Sequence, residues 1–138
     1  MMLRLKAVQS AGLFDPKYFL YYEEVDLLRA LARLGWQTWH VEDARLIHLG
    51  GAATGLQHRQ ERRRLPAYWY HSWQYYMRKN HGRAYALIAS VLWIVGATIN
   101  LGIARLRGKV PAAPLNLVSD LWFFAMRPLF GLKAGKRD

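Results

Sequence analysis

Gly12-Leu13-Phe14-Asp15-Pro16-Lys17-Tyr18-Phe19-Leu20-Tyr21-Tyr22-Glu23-Glu24-Val25-Asp26-Leu27 is the stretch on which the reading of this chain turns. Pro16 fixes its own φ and biases Asp15 away from helix, so residues 13–16 read as a turn. An aromatic run, 18–22, follows directly. Glu23, Glu24 and Asp26 then crowd what the spacing predicts to be the first turn of a helix, where negative charge complements the open backbone N–H groups. Leu27, Leu28, Leu31 and Leu34 repeat at three and four residues, and Gly35 follows the last of them, so the predicted helix covers 23–34.

Towards the N-terminus, Leu5 and Val8 with Ala7 and Ala11 predict a short helix over 3–11 that stops at Gly12, a residue suited to a left-handed helix end. Towards the C-terminus, 36–41 alternates Trp36, Thr38 and His40 against Gln37, Trp39 and Val41, and with 44–49 it predicts two short strands around a Glu42-Asp43 turn. A glycine-rich loop over 50–55 closes this part. Next comes a polar segment with Arg59, Arg62, Arg63 and Arg64, then an aromatic-rich helix candidate with Tyr68, Trp69, Tyr70, Trp73, Tyr75 and Tyr76, ending in Arg78-Lys79. Residues 84–104 carry no charge over the length of a bilayer-spanning helix, although Ser90, Thr98, Asn100 and many Ala and Gly dilute their apolar character. A second apolar stretch, 115–130, is interrupted by Asp120 and Arg127 and bounded by Pro111, Pro114 and Pro128. There is no internal repeat.

The formal net charge of +11 implies an anionic partner: nucleic acid, phospholipid surface or phosphorylated substrate. Residues 1–56 hold six Lys/Arg and six Asp/Glu, whereas the remaining 82 hold 14 bases against Glu61, Asp120 and Asp138, so the excess lies in the second part. The division expected on these grounds is 1–56 and a basic, aromatic-rich helical tail, 57–138. Absence of cysteine excludes disulfides, thiolate metal sites and thiol nucleophiles. The start, Met1-Met2-Leu3-Arg4-Leu5-Lys6, lacks the apolar run that a cleaved export signal needs, so no such signal is expected.

The 12–27 stretch resembles a segment of family 2 glycosyltransferases, especially the rhamnosyltransferase-like branch, with the pattern G-x-F-D-x-x-F-F-x-Y-x-E-D-x-D-L. The similarity continues through Arg33-Leu34-Gly35-Trp36, where the family ends a helix in R-x-G-W/Y, and Ile47-His48-Leu49-Gly50-Gly51, where it has V-x-H-x-G-G. The resemblance implies an α/β fold: the C-terminal part of a GT-A (Rossmann-like) catalytic domain over 1–56, followed by an α-helical, membrane-associated tail with apolar helices at about 84–104 and 115–130. It also implies sugar transfer, with inversion, from a nucleotide-sugar donor to a glycan or lipid-linked acceptor. The work would belong to cell-envelope polysaccharide biosynthesis at the cytoplasmic face of the cell membrane, with a divalent metal, Mg or Mn, as cofactor. No Asp-x-Asp pair, the family's metal motif, occurs in the sequence, so the chain reads as the acceptor half and is expected to be inactive by itself.

Such a reaction asks for a carboxylate that takes a proton from the acceptor hydroxyl and for positive charge on the departing diphosphate. Glu23, Glu24 and Asp26 can supply the first. By resemblance Glu24 matches the family's base, usually Asp, and Asp26 supports the helix start or orients the acceptor; the plain alternative is that all three serve the helix dipole. His48 is a candidate ligand for a divalent metal or a phosphate oxygen, with a hydrogen-bonded strand-end residue as the plain alternative. Gly50 and Gly51 allow close approach of the diphosphate or form a plain turn. Trp36 and Tyr22 are candidate sugar-stacking residues, with core packing as the alternative.

Two readings from other classes compete. Arg clusters interleaved with Tyr and Trp suit a nucleic-acid-binding module, but an uncharged stretch of this length has no use there, so no nucleic acid is expected. A non-catalytic membrane protein is the other. Basic residues stand on both sides of 84–104, namely Arg78, Lys79 and Arg83 before it and Arg105, Arg107 and Lys109 after it. A spanning helix would divide them between compartments, whereas a helix in the interface, or a hairpin with 115–130, would keep most of them against anionic headgroups; the plain alternative is a buried helix packed on the catalytic domain with no membrane affinity.

Overall fold

The computed structural model describes residues 1–45, 47, 64–111 and 113–132. Its elements are helical: α1 (Leu5–Ser10), α2 (Glu23–Arg33), α3 (Ala67–Leu106) and α4 (Leu117–Asp120), the last continuing through a π-helical turn, Leu121–Met126, into a 3₁₀ turn, Arg127–Phe130. Both early helices end where their glycines require. Gly12 and Gly35 have φ of 84° and 82°, and beyond α2 the Trp36 N–H donates back to the Leu31 carbonyl (3.0 Å). Ala7, Val8, Leu27 and Leu31 form a small core between α1 and α2.

The strands expected over 36–41 do not form. Among the described residues there is no sheet, only an isolated parallel bridge between Arg64 and Leu115, so the α/β Rossmann-like GT-A class is replaced by a helical fold. A strand leaves its N–H and C=O groups to a neighbour, and alternation has value only where one face is buried. Here 37–45 are exposed throughout, and their backbone turns on itself through Ala44 N–H to Val41 O (3.1 Å) and Arg45 N–H to Asp43 O (2.9 Å). Most of the second expected strand, 44–49, lies outside the described residues.

α3 is two arms. At Gly82 φ is 87° and ψ 170°, a conformation open to glycine and strained for other residues. An unbroken helix would hold Trp73 and Trp93 roughly 30 Å apart, yet their ring centroids are 5.0 Å apart, and Trp69 lies 5.4 Å from Trp93. The second arm, 83–106, therefore folds back along the first, 67–81. Tyr70, Trp73 and Ala97 meet Leu117, Leu121, Phe124 and Ala125 in the larger core. Asp120, read from the sequence as an interruption of an apolar stretch, is fully buried and receives Arg64 Nε and Nη2 at 2.8 Å each.

Candidate functional site

The 12–27 stretch docks on the first arm of α3. Asp15 closes its own turn by accepting the Lys17 N–H (3.0 Å). From the arm, Ser72 Oγ donates to Leu20 O (2.8 Å), Tyr75 OH to Asp15 Oδ2 (2.8 Å), and Lys79 Nζ to both Asp15 Oδ2 (2.7 Å) and Asp26 Oδ2 (2.6 Å). Asn80 Nδ2 adds a bond to Asp26 Oδ1 (2.6 Å). The Lys79 hydrogen bond, outweighing the opposing effect of desolvation, holds the Asp15 carboxyl down at about 2. Desolvation alone would lower the Lys79 ammonium, but its bonds to the two aspartates prevail and raise it. The Tyr18 hydroxyl is buried between these groups without a hydrogen-bond partner among the described residues; burial first, then the nearby Asp26 charge, push its ionisation well above the ordinary tyrosine range.

Immediately before α2, Tyr21 and Tyr22 both adopt left-handed φ of 69°. Each such non-glycine residue costs about 1–3 kcal/mol. Ring contacts of the same order offset that strain: Tyr21 stacks on Tyr68, and Tyr22 meets Trp69 and Tyr76 at 6.0 and 5.4 Å. The aromatic run thus throws the chain sharply into α2 and sets the direction of its acidic first turn.

The candidate residues separate cleanly. Glu24 is exposed and makes no hydrogen bond or ion pair among the described residues. Asp26 is buried, both oxygens taken by Lys79 and Asn80. Glu23 is half-buried, with Oε2 enclosed and unpartnered among the described residues. Tyr22 is half-buried against Trp69 and Tyr76. Trp36 belongs to the small core: its Nε1 donates to Ser10 Oγ (3.1 Å), and the Arg4 guanidinium lies 5.7 Å above its ring. That leaves it a clamp between α1 and the end of α2 more than an open stacking surface. His48, Gly50 and Gly51 lie outside the described residues. Among the described residues no group of three or more metal-binding side chains comes together. A concavity lies elsewhere, between Leu101 and Arg105 of the second arm and residues around Leu117 and Trp122.

Sequence reading missed Lys79, Tyr75 and Asn80, treating the first as part of a basic helix end. A signal was present: Ser72, Tyr75, Tyr76 and Lys79 are spaced i, i+3, i+4, i+7, and this one face meets the 15–26 segment.

No family model matches the chain, and no solved structure matches it. It is similar to the N-acetylglucosaminyl-diphospho-decaprenol L-rhamnosyltransferases of two Mycobacterium tuberculosis strains, CDC 1551 / Oshkosh and ATCC 25618 / H37Rv. Each is 36% identical over 55 residues, which is 40% of this chain and 18% of the relative. The chain therefore matches less than a fifth of the length of these curated relatives, and the similarity extends to glycosyl transfer at most.

Proposed function

We propose that these residues serve the acceptor side of an inverting glycosyltransferase, which moves a sugar from a nucleotide-sugar to a lipid-linked or glycan acceptor at the cytoplasmic face of the cell membrane. The observation that carries this reading is the 55-residue similarity to two L-rhamnosyltransferases. The contrast between an open Glu24 and an occupied Asp26 supports it. By that similarity the acceptor is a polyprenyl-diphosphate-linked sugar, and the anionic membrane surface is the third partner. Glu24 takes the proton of the acceptor hydroxyl as its oxygen attacks the anomeric carbon. The bond to the donor diphosphate breaks on the opposite face, its electron pair leaving with the nucleotide, so the configuration inverts. Asp26 is a positioning residue: Lys79 and Asn80 hold it, and it holds the first turn that carries Glu24. Donor binding belongs to residues outside the described part, Gly50, Gly51 and His48 among them, and to a nucleotide-binding portion that supplies the Asp-x-Asp pair these 138 residues lack.

The test is a chimera in which the 55 matching residues of the mycobacterial enzyme are replaced by those of this chain, assayed for transfer of labelled sugar to the polyprenyl-linked acceptor. Transfer by the chimera is expected, and Glu24→Gln within it should lower kcat by roughly 10²–10⁴-fold with donor affinity nearly unchanged. A folded chimera without transfer, or near-normal kcat in the Glu24→Gln form, overturns the assignment.

A further inference from the structure

Among the described residues one helix, α3, is long and apolar enough to cross a membrane by length and composition. We infer that its second arm instead lies in the plane of an anionic phospholipid surface, presenting Tyr85, Ile88, Leu92, Val95, Ile99 and Ile103 to the acyl chains. The inference rests on the membrane association proposed above and specifies its geometry.

Those six residues follow one another at three- and four-residue steps, so they form a single stripe, and each is 42–65% exposed. The opposite side of the arm is already occupied: Ala86, Ser90 and Ala97 are buried, and Trp93 packs on Trp69 and Trp73. Ala86, Ser90 and Ala97 with Trp93 and Ile94 cover the protein side, whereas Ile88, Leu92, Val95, Ile99 and Ile103 find no core within their own chain among the described residues. Exposed cations without an acidic partner among the described residues stand at both ends of the stripe, Arg78 at one and Arg105, Arg107 and Lys109 at the other. That arrangement matches an acyl layer topped by anionic headgroups.

The first arm decides between lying and crossing. It packs along the second from the turn at Gly82 as far as Ala97, which shares a core with Tyr70. A second arm threaded through the bilayer would carry the first into hydrocarbon, with Gln74, Arg78, Asn80 and the Lys79 bridge to Asp15 and Asp26. Charges there are rare and costly. Lying flat, the stripe alone enters the membrane and every one of these groups stays on the water side.

The chain has no cysteine, so single cysteines placed in the stripe report depth directly. Purified 138-residue protein would be floated with phosphatidylglycerol-containing and pure phosphatidylcholine vesicles, and a probe on Ile88→Cys, Leu92→Cys, Val95→Cys or Ile99→Cys would be quenched by lipids labelled at known depths. Expected are flotation that needs anionic lipid, weakens in high salt and is lost in carbonate, and equal shallow depths at all four positions. An Ile88→Ser/Ile99→Ser variant should keep its helix content and partition roughly tenfold or more weakly. Carbonate-resistant flotation with the greatest depth at the middle positions overturns the in-plane geometry while leaving membrane association intact. No flotation on either vesicle overturns both.

Discussion

Arg64, just before the first arm of α3, and Lys79, near its other end, each fasten a distant segment through carboxylates, but on different terms. Arg64 holds Asp120 by two bonds of 2.8 Å, with the carboxylate entirely removed from water. Lys79 divides itself between Asp15 and Asp26, whose side chains keep 18% and 8% exposure, and Tyr75, Asn80 and the Lys17 N–H share the load. A buried carboxylate with a single cationic partner is brittle, because losing the cation strands the anion where water cannot reach it. A shared, partly wet cluster degrades by steps. The first secures the 117–130 segment to the hairpin core, and the second seats the acidic turn of α2.

The sharpest way to break the contrast is Arg64→Met. It should cost more stability in denaturant unfolding than either Lys79→Met or Ser72→Ala, and Arg64→Met/Asp120→Leu should recover most of that loss, since no charge is then left buried. A single-variant loss no larger than that of Lys79→Met would put the two sites on equal terms.

Lys79→Met should cost less, about 2 kcal/mol, the scale of hydrogen bonds to charged groups. Its signature is acid dependence. Asp15 titrates near 2 in the folded protein against an ordinary 3.8, so its contribution is complete above 3.8 and disappears as pH falls through 2. Thermal melts across that window should show the loss in the native chain and a flatter profile in Lys79→Met, where the carboxyl returns towards its ordinary value. Parallel profiles would mean that Lys79 does not set the Asp15 ionisation. The smallest effect is expected from Ser72→Ala, about 1 kcal/mol for one neutral bond to Leu20 O. A loss as large as that of Lys79→Met would shift the seat of the cluster from charge to the Ser72 contact.

The outcome for the acids illustrates how far sequence reaches. Glu24 and Asp26 are two residues apart on one helix turn, both carboxylates and both suited to its dipole. Which one is open and which is closed depends on the direction of the α2 axis, set by Tyr21 and Tyr22, and on the arrival of Lys79 and Asn80 from a segment 53 and 54 residues away. Trp36 makes the same point, since its clamp to Ser10 depends on α1 returning to the far end of α2. The alternation over 36–41 predicts a strand because periodicity records only which residues could share a face, and among the described residues no partner strand meets it.

By itself the sequence determined what local chemistry controls: α1 and α2 with their glycine ends, the acidic first turn, the break between the aromatic and uncharged helical stretches, and the partition of charge towards the second part. These follow from backbone sterics and side-chain spacing within a few residues, which no distant contact needs to supply. Only the tertiary structure decided that the arms of α3 fold together at Gly82, that Asp120 is paired with a residue 56 positions away, and that 36–41 stays without a sheet. The first two depend on the free energy of bringing remote groups into contact, which burial of the Trp69, Trp73 and Trp93 rings with Leu121 and Phe124 supplies, whereas 36–41 meets no partner strand among the described residues.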